Sequence, residues 1–213
     1  KDAMAYNVMQ GSGVNFLSAF AVALKATNFQ ISVLSSLPQL LSAWIQLFSP
    51  KLLEKFKSRK KPISIFVLLQ ALTWLPLIAI PFIFLGETAV WFVILFYTLF
   101  YVFGAIINPL WQSLMGDLVP AEERGAYFGK RTAAAGIITL IITLFAGFYL
   151  NLYPARLVFY AFAALFFISF LFRMISRHYL NKMFEPGFVQ NSRTKFSFKH
   201  FVSRITKTNF GNF

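Results

Sequence analysis

The feature that most constrains this sequence is a series of six long apolar stretches. They cover residues 3–24, 31–48, 63–85, 89–115, 127–152 and 156–175. At about 1.5 Å per residue, a helix of about twenty residues crosses a hydrocarbon core roughly 30 Å thick. The stretches are too long and too continuously apolar to be the alternating strands, about ten residues each, of a membrane barrel. The sequence therefore predicts an all-α polytopic membrane protein with six transmembrane helices.

The charged residues are concentrated in the connections between these stretches. Residues 116–131, GDLVPAEERGAYFGKR, contain six charged side chains, whereas residues 88–115 and 132–155 contain none. A charge at the centre of a spanning helix costs about 2.5–3.5 kcal/mol on insertion scales, so a span with six charges is excluded. Only 13% of all residues are charged, compared with about a quarter in soluble domains. We therefore expect residues 116–131 to form a loop in water.

The basic residues lie in alternate connections. They cluster in residues 51–61, 124–131 and 173–207, while the intervening loops hold only Lys25 and Arg156. This distribution is the positive-inside pattern of membrane proteins. It predicts an integral protein of the cell membrane, embedded in the lipid bilayer, with both ends of the chain in the cytoplasm. Because the positive-inside pattern accounts for the net charge of +13, this charge does not indicate a nucleic-acid partner.

The six predicted helices divide into two triplets whose first members are the polar ones. The polar residues are Asn7, Gln10, Ser12 and Asn15 in the first stretch and Asn108, Gln112 and Ser113 in the fourth. We expect Gly11 and Gly13 to interrupt one of these helices and Pro109 the other. Matching polar, broken helices in two repeats indicate a transporter's binding site. Residues 1–176 are thus predicted to form a six-helix bundle of two three-helix repeats, followed by a basic cytoplasmic linker at 177–213.

Polar side chains inside the predicted spans are the candidate lining of a substrate cavity. Polar groups at membrane depth are costly unless they are paired or face a wet cavity. The candidates, with an aromatic neighbour, are Asn7, Gln10, Asn15, Gln39, Asn108, Trp111 and Gln112. The alternative is helix-to-helix packing, in which such groups are common, and it is favoured for the stripe of Ser35, Gln39, Ser42 and Gln46. Uncharged amides suit a neutral or zwitterionic small-molecule substrate.

Groups suited to catalysis or metal binding do not converge in the spans. The chain has no cysteine, His178 and His200 both lie in the linker, and no phosphate-binding GxxxxGK[ST] loop occurs. No acidic or basic residue falls in the middle of a predicted span, and Asp2, at the mouth of the first, is expected at headgroup level. The sequence therefore predicts no enzyme, cofactor or metal site. A six-helix channel or a non-transporting membrane scaffold is the alternative to a transporter.

Two loops of the sequence resemble loops of the major facilitator superfamily. SPKLLEKFKSRKKPI, at the end of the second stretch, resembles the superfamily's loop between helices two and three. Leu52, Glu54, Lys55, Arg59 and Lys60 take the positions of its leucine, its acid, its base and its basic cluster, while Pro50 and Lys57 replace both of its glycines. Residues 116–131 resemble the loop between helices four and five. The matching residues there are Asp117, Pro120, Arg124 and Gly125.

The resemblance implies a secondary active transporter that moves a small polar or amphipathic solute by alternating access. In the superfamily, acids and bases of these two loops pair on the cytoplasmic face and help hold the outward-facing state, which implies a gate in loop charges 54–61 and 117–131. The implied gate residues are Glu54, Arg59, Asp117 and Arg124. Anchoring of helix ends in lipid headgroups is their alternative role.

The resemblance covers the whole chain and is to the amino-terminal half of a twelve-helix transporter. It implies a carboxy-terminal half of the same transporter as the partner of this bundle. FGNF at residues 210–213 resembles the approach to a seventh helix.

Overall fold

The computed structural model describes residues 1–46, 58–84 and 86–186. Glu54 and nearly all of the predicted linker, from residue 187 onward, lie outside these ranges. Within them, every regular element is a helix and no strand occurs. The prediction of an all-α chain is therefore confirmed for the described residues.

Eight α-helices follow one another along the described chain. They are α1 (Asp2–Ser12), α2 (Leu17–Ala23), α3 (Asn28–Gln46), α4 (Lys60–Leu72), α5 (Trp74–Ile83), α6 (Glu87–Leu118), α7 (Arg124–Asn151) and α8 (Val158–Lys182). Single-turn 3₁₀-helices at Val14–Phe16, Ala121–Glu123 and Ala155–Leu157 precede α2, α7 and α8. The last helix continues beyond the predicted end of the sixth stretch at residue 175.

Four helical stretches within the described ranges are long and apolar enough to cross a membrane. They are Lys60–Ile83, Glu87–Leu118, Ala121–Asn151 and Ala155–Lys182, and they correspond to the third to sixth predicted spans. The first two predicted spans are not among them. Glycine breaks the first into short helices, and repeated Ser and Gln residues lower the mean hydropathy of α3. The structure thus confirms an all-helical membrane protein with four candidate spans.

Glycine and proline have different effects on these helices. Helix α1 ends before Gly13, as predicted, but it runs through Gly11, so the interruption expected at Gly11 is wrong. The break between α4 and α5 at Thr73 was not predicted; Pro76 follows it and has no N–H to donate to the carbonyl of Leu72. The expected interruption at Pro109 is wrong, because Pro109 lies inside α6, which is a single helix of 32 residues. Membrane helices tolerate an internal proline when neighbouring groups compensate for the single lost hydrogen bond.

The core joins the first, third and sixth predicted spans through aromatic rings. Phe20 of α2 packs edge-on against Phe166 of α8, with ring centroids 4.9 Å apart. Trp74, at the start of α5, lies 5.4 Å from both Phe166 and Phe100. All three rings nearest this centre, those of Phe20, Trp74 and Phe166, are fully buried. Around this cluster, α1 packs on α7 and α8, α6 packs on α3 and α4, and α4 packs on α8.

Candidate functional site

A cavity of about 470 Å³ lies among α1, α3, α4, α6, α7 and α8. Its volume falls within the range of roughly 300–1,000 Å³ that is typical of small-molecule sites. The side chains that give it polar walls are Asp2, Asn7, Gln10, Ser42, Gln46, Gln70, Asn108, Arg131, Thr132 and Arg173, with Tyr6, Tyr101 and Trp111 beside them. We call it the central cavity. A polar chamber inside apolar helices is the kind of site at which a membrane protein holds a solute.

Four of the predicted cavity residues line this space and three do not. Asn7, Gln10, Asn108 and Trp111 are brought together here from α1 and α6. Gln39 instead lines a separate cavity of about 130 Å³, next to Tyr97 and Tyr101.

The other two predicted residues lie elsewhere. Asn15 follows the helix break at Gly13 and donates from Nδ2 to Thr143 Oγ1 at 2.9 Å. The 3₁₀ turn at Val14–Phe16 interrupts the α-helical repeat, which explains why the four-residue spacing from Asn7 does not carry Asn15 into the cavity. Gln112 is exposed and does not line the central cavity.

Asn7 both contacts a neighbouring helix and lines the central cavity. Its Nδ2 donates to the carbonyl of Ala3 at 2.6 Å, and its Oδ1 accepts a hydrogen bond from Thr139 Oγ1 at 3.0 Å. The same residue faces the central cavity. Helix packing and cavity lining are therefore compatible for this side chain. Of the second stretch's polar stripe, Ser42 and Gln46 also face the central cavity.

Three charged residues of the central cavity were missed by the sequence reasoning. Arg173 is only 3% exposed and Asp2 only 8% exposed, so both side chains are buried within the bundle. Ser176 Oγ donates to Asp2 Oδ1 at 2.7 Å and accepts from Arg173 Nη1 at 3.1 Å. The third residue, Arg131, comes from the start of α7. A signal for the α8 residues was present, since Ser169, Arg173 and Ser176 recur at three- and four-residue steps.

Both arginines of the cavity lie over aromatic rings. The guanidinium carbon of Arg131 lies 4.3 Å from the centroid of Trp111, and that of Arg173 lies 4.9 Å from the centroid of Tyr6. A cation over an aromatic face is attracted to the ring's electron density, by about 2 kcal/mol or more where water is excluded. The rings therefore fix the planes of the two guanidinium groups and leave the N–H edges to other partners.

The segments assigned to the gate meet in an ion pair. The loop expected at 116–131 is wrong in extent, because α6 continues to Leu118 and α7 begins at Arg124. Arg59 Nη1 lies 2.5 Å from Asp117 Oδ2 and 3.2 Å from the carbonyl oxygen of Ser113, and it joins the start of α4 to the last turn of α6. Arg59 is almost fully buried, while the Asp117 side chain is 49% exposed. Arg124, in contrast, donates to the backbone carbonyls of Gly116 and Val119, at the end of α6. We call the part of the bundle that holds Arg59 and Asp117 the charged end.

Glu185, which the sequence analysis did not single out, caps the N-terminus of α4. Its Oε1 accepts from the backbone N–H groups of Arg59 and Lys60 at 2.6 and 3.2 Å, and its Oε2 accepts from Ser58 Oγ at 3.0 Å. Lys60 Nζ donates to the carbonyl of Met183 at 2.8 Å. Burial raises the pKa of the Glu185 carboxyl, but these hydrogen bonds and the nearby Lys60 charge act in the opposite direction, and the pKa lies below its ordinary value of 4.5.

Replacing Glu185 by glutamine is expected to lower the thermal stability of the protein at neutral pH by removing this charged cap. A carboxylate cap contributes about 0.5–2 kcal/mol, and exposure to solvent places this one at the lower end. Because folding lowers the pKa, the contribution is complete above 4.5 and is lost as the pH falls through the pKa of the folded protein. Melting temperatures in detergent at about pH 7 and about pH 3 measure it. If the melting temperatures of variant and parent differ as much at about pH 3 as at about pH 7, the capping role is contradicted. Glu122→Gln, at an exposed position, is the control.

Comparison with protein-family models assigns the chain to a family. The family model described as Major Facilitator Superfamily matches residues 3–206. Neither the curated proteins nor the solved structures give a match to this chain. The family match extends over nearly the whole sequence and agrees with the resemblance of the two loops. The chain therefore belongs to the major facilitator superfamily of membrane transporters.

Proposed function

We propose that the protein is a secondary active transporter that moves a small polar or amphipathic solute by alternating access. The observation that carries the proposal is the central cavity, whose polar walls lie inside helices that are otherwise apolar. The cavity draws residues from both halves of the chain, with Gln10 on α1 and Asn108 on α6. In the alternating-access mechanism, two bundles rock about a central site of this kind.

We also propose that the bundle consists of six helices in two repeats of three. The first repeat is α1 with α2, then α3, then α4 with α5; the second is α6, α7 and α8. If equivalent helices are exchanged, the packing of α1 on α7 becomes that of α6 on α3, and the packing of α1 on α8 becomes that of α6 on α4. The contact of α4 with α8 maps onto itself. This exchange supports an internal pseudo-two-fold arrangement, as in transporters with repeated halves.

The surface of α7 is the proposed contact with a second bundle, the carboxy-terminal half. Ala146 is the only buried residue of this 28-residue helix among the described parts of the chain. Phe128, Gly129, Thr132 and Gly136 line an open, mostly apolar groove along it. A Cβ at Gly129 or Gly136 would have no neighbour within 4 Å. Small residues let membrane helices approach closely, which suits packing of another helix here.

The charged end is proposed to face the cytoplasm and to act as the gate. The alternating placement of basic residues supports this orientation. The Arg59–Asp117 pair joins the start of α4, in the first proposed repeat, to the last turn of α6, in the second, so it opposes a movement of one repeat against the other. Such a pair biases the equilibrium only if it is made in one conformation and broken in the other.

Labelling of a cysteine in the central cavity tests the proposed function. Asn108 is exposed to the cavity, and the sequence contains no cysteine, so Asn108→Cys adds the first thiol to this part of the chain. In the full-length transporter, with any other cysteines replaced by serine, we expect an impermeant maleimide to label it in both right-side-out and inside-out vesicles. Phe145→Cys is the control for a thiol outside the central cavity, since Phe145 does not line the cavity and is 69% exposed on the outer surface of α7. Labelling of Asn108→Cys from one side only contradicts alternating access.

A further inference from the structure

We infer that the central cavity binds a small organic anion through the guanidinium groups of Arg131 and Arg173. The inference rests on the proposed transport function and names the chemical class of its solute. It goes beyond the amide groups that the sequence analysis selected, which suit a neutral or zwitterionic solute.

The first argument is the charge balance of the cavity. Its lining contains two guanidinium groups, those of Arg131 and Arg173, and one carboxylate, that of Asp2. Within the described ranges, the ion pair that forms is Arg59 with Asp117, so neither cavity guanidinium has a carboxylate partner. Asp2 is connected to Arg173 only through Ser176 Oγ, which accepts from Arg173 and donates to Asp2. The cavity therefore carries one excess positive charge, which an anionic ligand neutralises.

The second argument is the unused donors of Arg173. A guanidinium has five N–H donors in a planar fork that matches a carboxylate or a phosphate. In this structure Nη1 donates to Ser176 Oγ, while the buried Nε has no hydrogen-bond partner among the described residues. A buried cation is costly unless it is paired and hydrogen-bonded. Because Tyr6 covers one face of the group, a ligand must approach its N–H edge.

Arg131 provides a second cation in the lining. It comes from α7, whereas Arg173 comes from α8, and Trp111 of α6 covers one of its faces. Two guanidinium groups held flat by aromatic rings are better organised to bind an anion than two mobile side chains, because less conformational entropy is lost on binding. This arrangement distinguishes the cavity from a scatter of surface basic residues.

The same cavity contains unpaired acceptors that define the rest of the ligand. Gln10 Oε1 and Gln70 Oε1 are buried and have no hydrogen-bond partner among the described residues. Gln70 is held in place because its Nε2 donates to the carbonyl of Phe100 at 3.0 Å. A hydroxyl or amino group on the ligand would satisfy these oxygens. The ligand class is therefore a small, water-soluble organic anion with hydroxyl or amino donors, such as a hydroxy acid, a sugar acid or a sugar phosphate.

Thermal stabilisation of the full-length transporter in detergent tests this inference with named compounds. Mandelate, gluconate and glucose 6-phosphate are compared with phenylethanediol, sorbitol and glucose, which lack the charge, and with 2-amino-1-phenylethanol and glucosamine, which reverse it. We expect at least one anion, and neither its neutral nor its cationic counterpart, to raise the melting temperature. Dioctanoyl phosphatidylglycerol is added in a parallel measurement to detect binding of an anionic lipid. Stabilisation by that lipid and by none of the soluble anions contradicts a soluble ligand.

Variants then assign the effect to the two arginines. Arg173→Gln and Arg131→Gln are each expected to weaken binding of the anion about tenfold or more, since a hydrogen-bonded charge contact is lost. Lys130→Gln, an exposed neighbour that does not line the cavity, is expected to bind as the parent does. Because Arg173 is buried, Arg131→Gln supplies the test if Arg173→Gln does not elute as a single species. Equal binding by a folded arginine variant, or stabilisation by no anion, overturns the inference. Two-sided labelling of Asn108→Cys in right-side-out and inside-out vesicles shows whether the transport proposal still holds.

Discussion

Replacing Gly13 by alanine is expected to prevent normal packing of the first helix and to cause a large loss of folded protein. A Cβ at this position would lie 2.4 Å from Ser169 Oγ and 2.4 Å from Cη2 of Trp74. Trp74 is fully buried between Phe100 and Phe166, so its ring has no space to retreat. Overpacking of a core typically costs about 1–3 kcal/mol, and this site belongs at the upper end because both obstacles are rigid.

Fluorescence-detected size exclusion and the melting temperature in detergent measure the effect. Gly147→Ala is the matched control, because its Cβ would make only an ordinary contact, 3.8 Å from Phe16 Cζ. Within the last two turns of α7, that change also favours the helix by up to about 1 kcal/mol. If Gly13→Ala gives the same folded yield and melting temperature as Gly147→Ala, the close approach of α1 to Trp74 described above is incorrect.

Replacing Asp117 by arginine is expected to open the charged end of the protein. The change puts a second guanidinium against the nearly buried Arg59 in place of its carboxylate partner. Because half of the Asp117 side chain is exposed, the pair is partly screened, and we expect a shift of about 1–2 kcal/mol between the closed and open states. That shift corresponds to roughly a 5- to 30-fold change in their ratio.

The labelling rate of Asn108→Cys from the charged end reports this change. We expect the rate to rise in Asp117→Arg and to return toward the parent value when Arg59→Asp is added, because the exchanged charges attract again. Glu122→Arg is the control, since it adds the same charge to an exposed position of the same connection. A rise with Glu122→Arg as large as that with Asp117→Arg would attribute the effect to general surface charge and not to the ion pair.

Much of the helical architecture was predictable from the sequence, because lipid imposes simple demands. An apolar stretch of sufficient length must hydrogen-bond its own backbone, so the spans that become α6, α7 and α8 were identified from composition alone. The break at Gly13 also followed from residue type. The break at Thr73 was missed because the effect of Pro76 depends on the local chain, as shown by Pro109, which α6 accommodates without interruption.

The candidate site was predicted only for uncharged residues at regular helical positions. Asn7, Gln10 and Asn108 reach the central cavity because their helices run unbroken to those positions. Asn15 does not, since it follows the break at Gly13 and lies in a 3₁₀ turn, where the α-helical spacing no longer applies. The charged residues Asp2, Arg131 and Arg173 lie near the ends of apolar stretches, where sequence alone does not distinguish a side chain that points to headgroups from one that turns into the bundle. The burial of Asp2 and Arg173 is a property of tertiary packing.

The most direct test of alternating access is to label Asn108→Cys while the gate is held shut. Arg59→Lys is joined to Asp117 by a water-soluble carbodiimide, which forms an amide linker between the two side chains and consumes no thiol, before Asn108→Cys is exposed to the impermeant maleimide, with unlinked protein as the reference. The proposed mechanism predicts that labelling from the charged end falls to background while labelling from the opposite side persists. Continued labelling from the charged end with the linker in place would contradict a gate at Arg59 and Asp117, and loss of labelling from both sides would contradict alternating access to the central cavity.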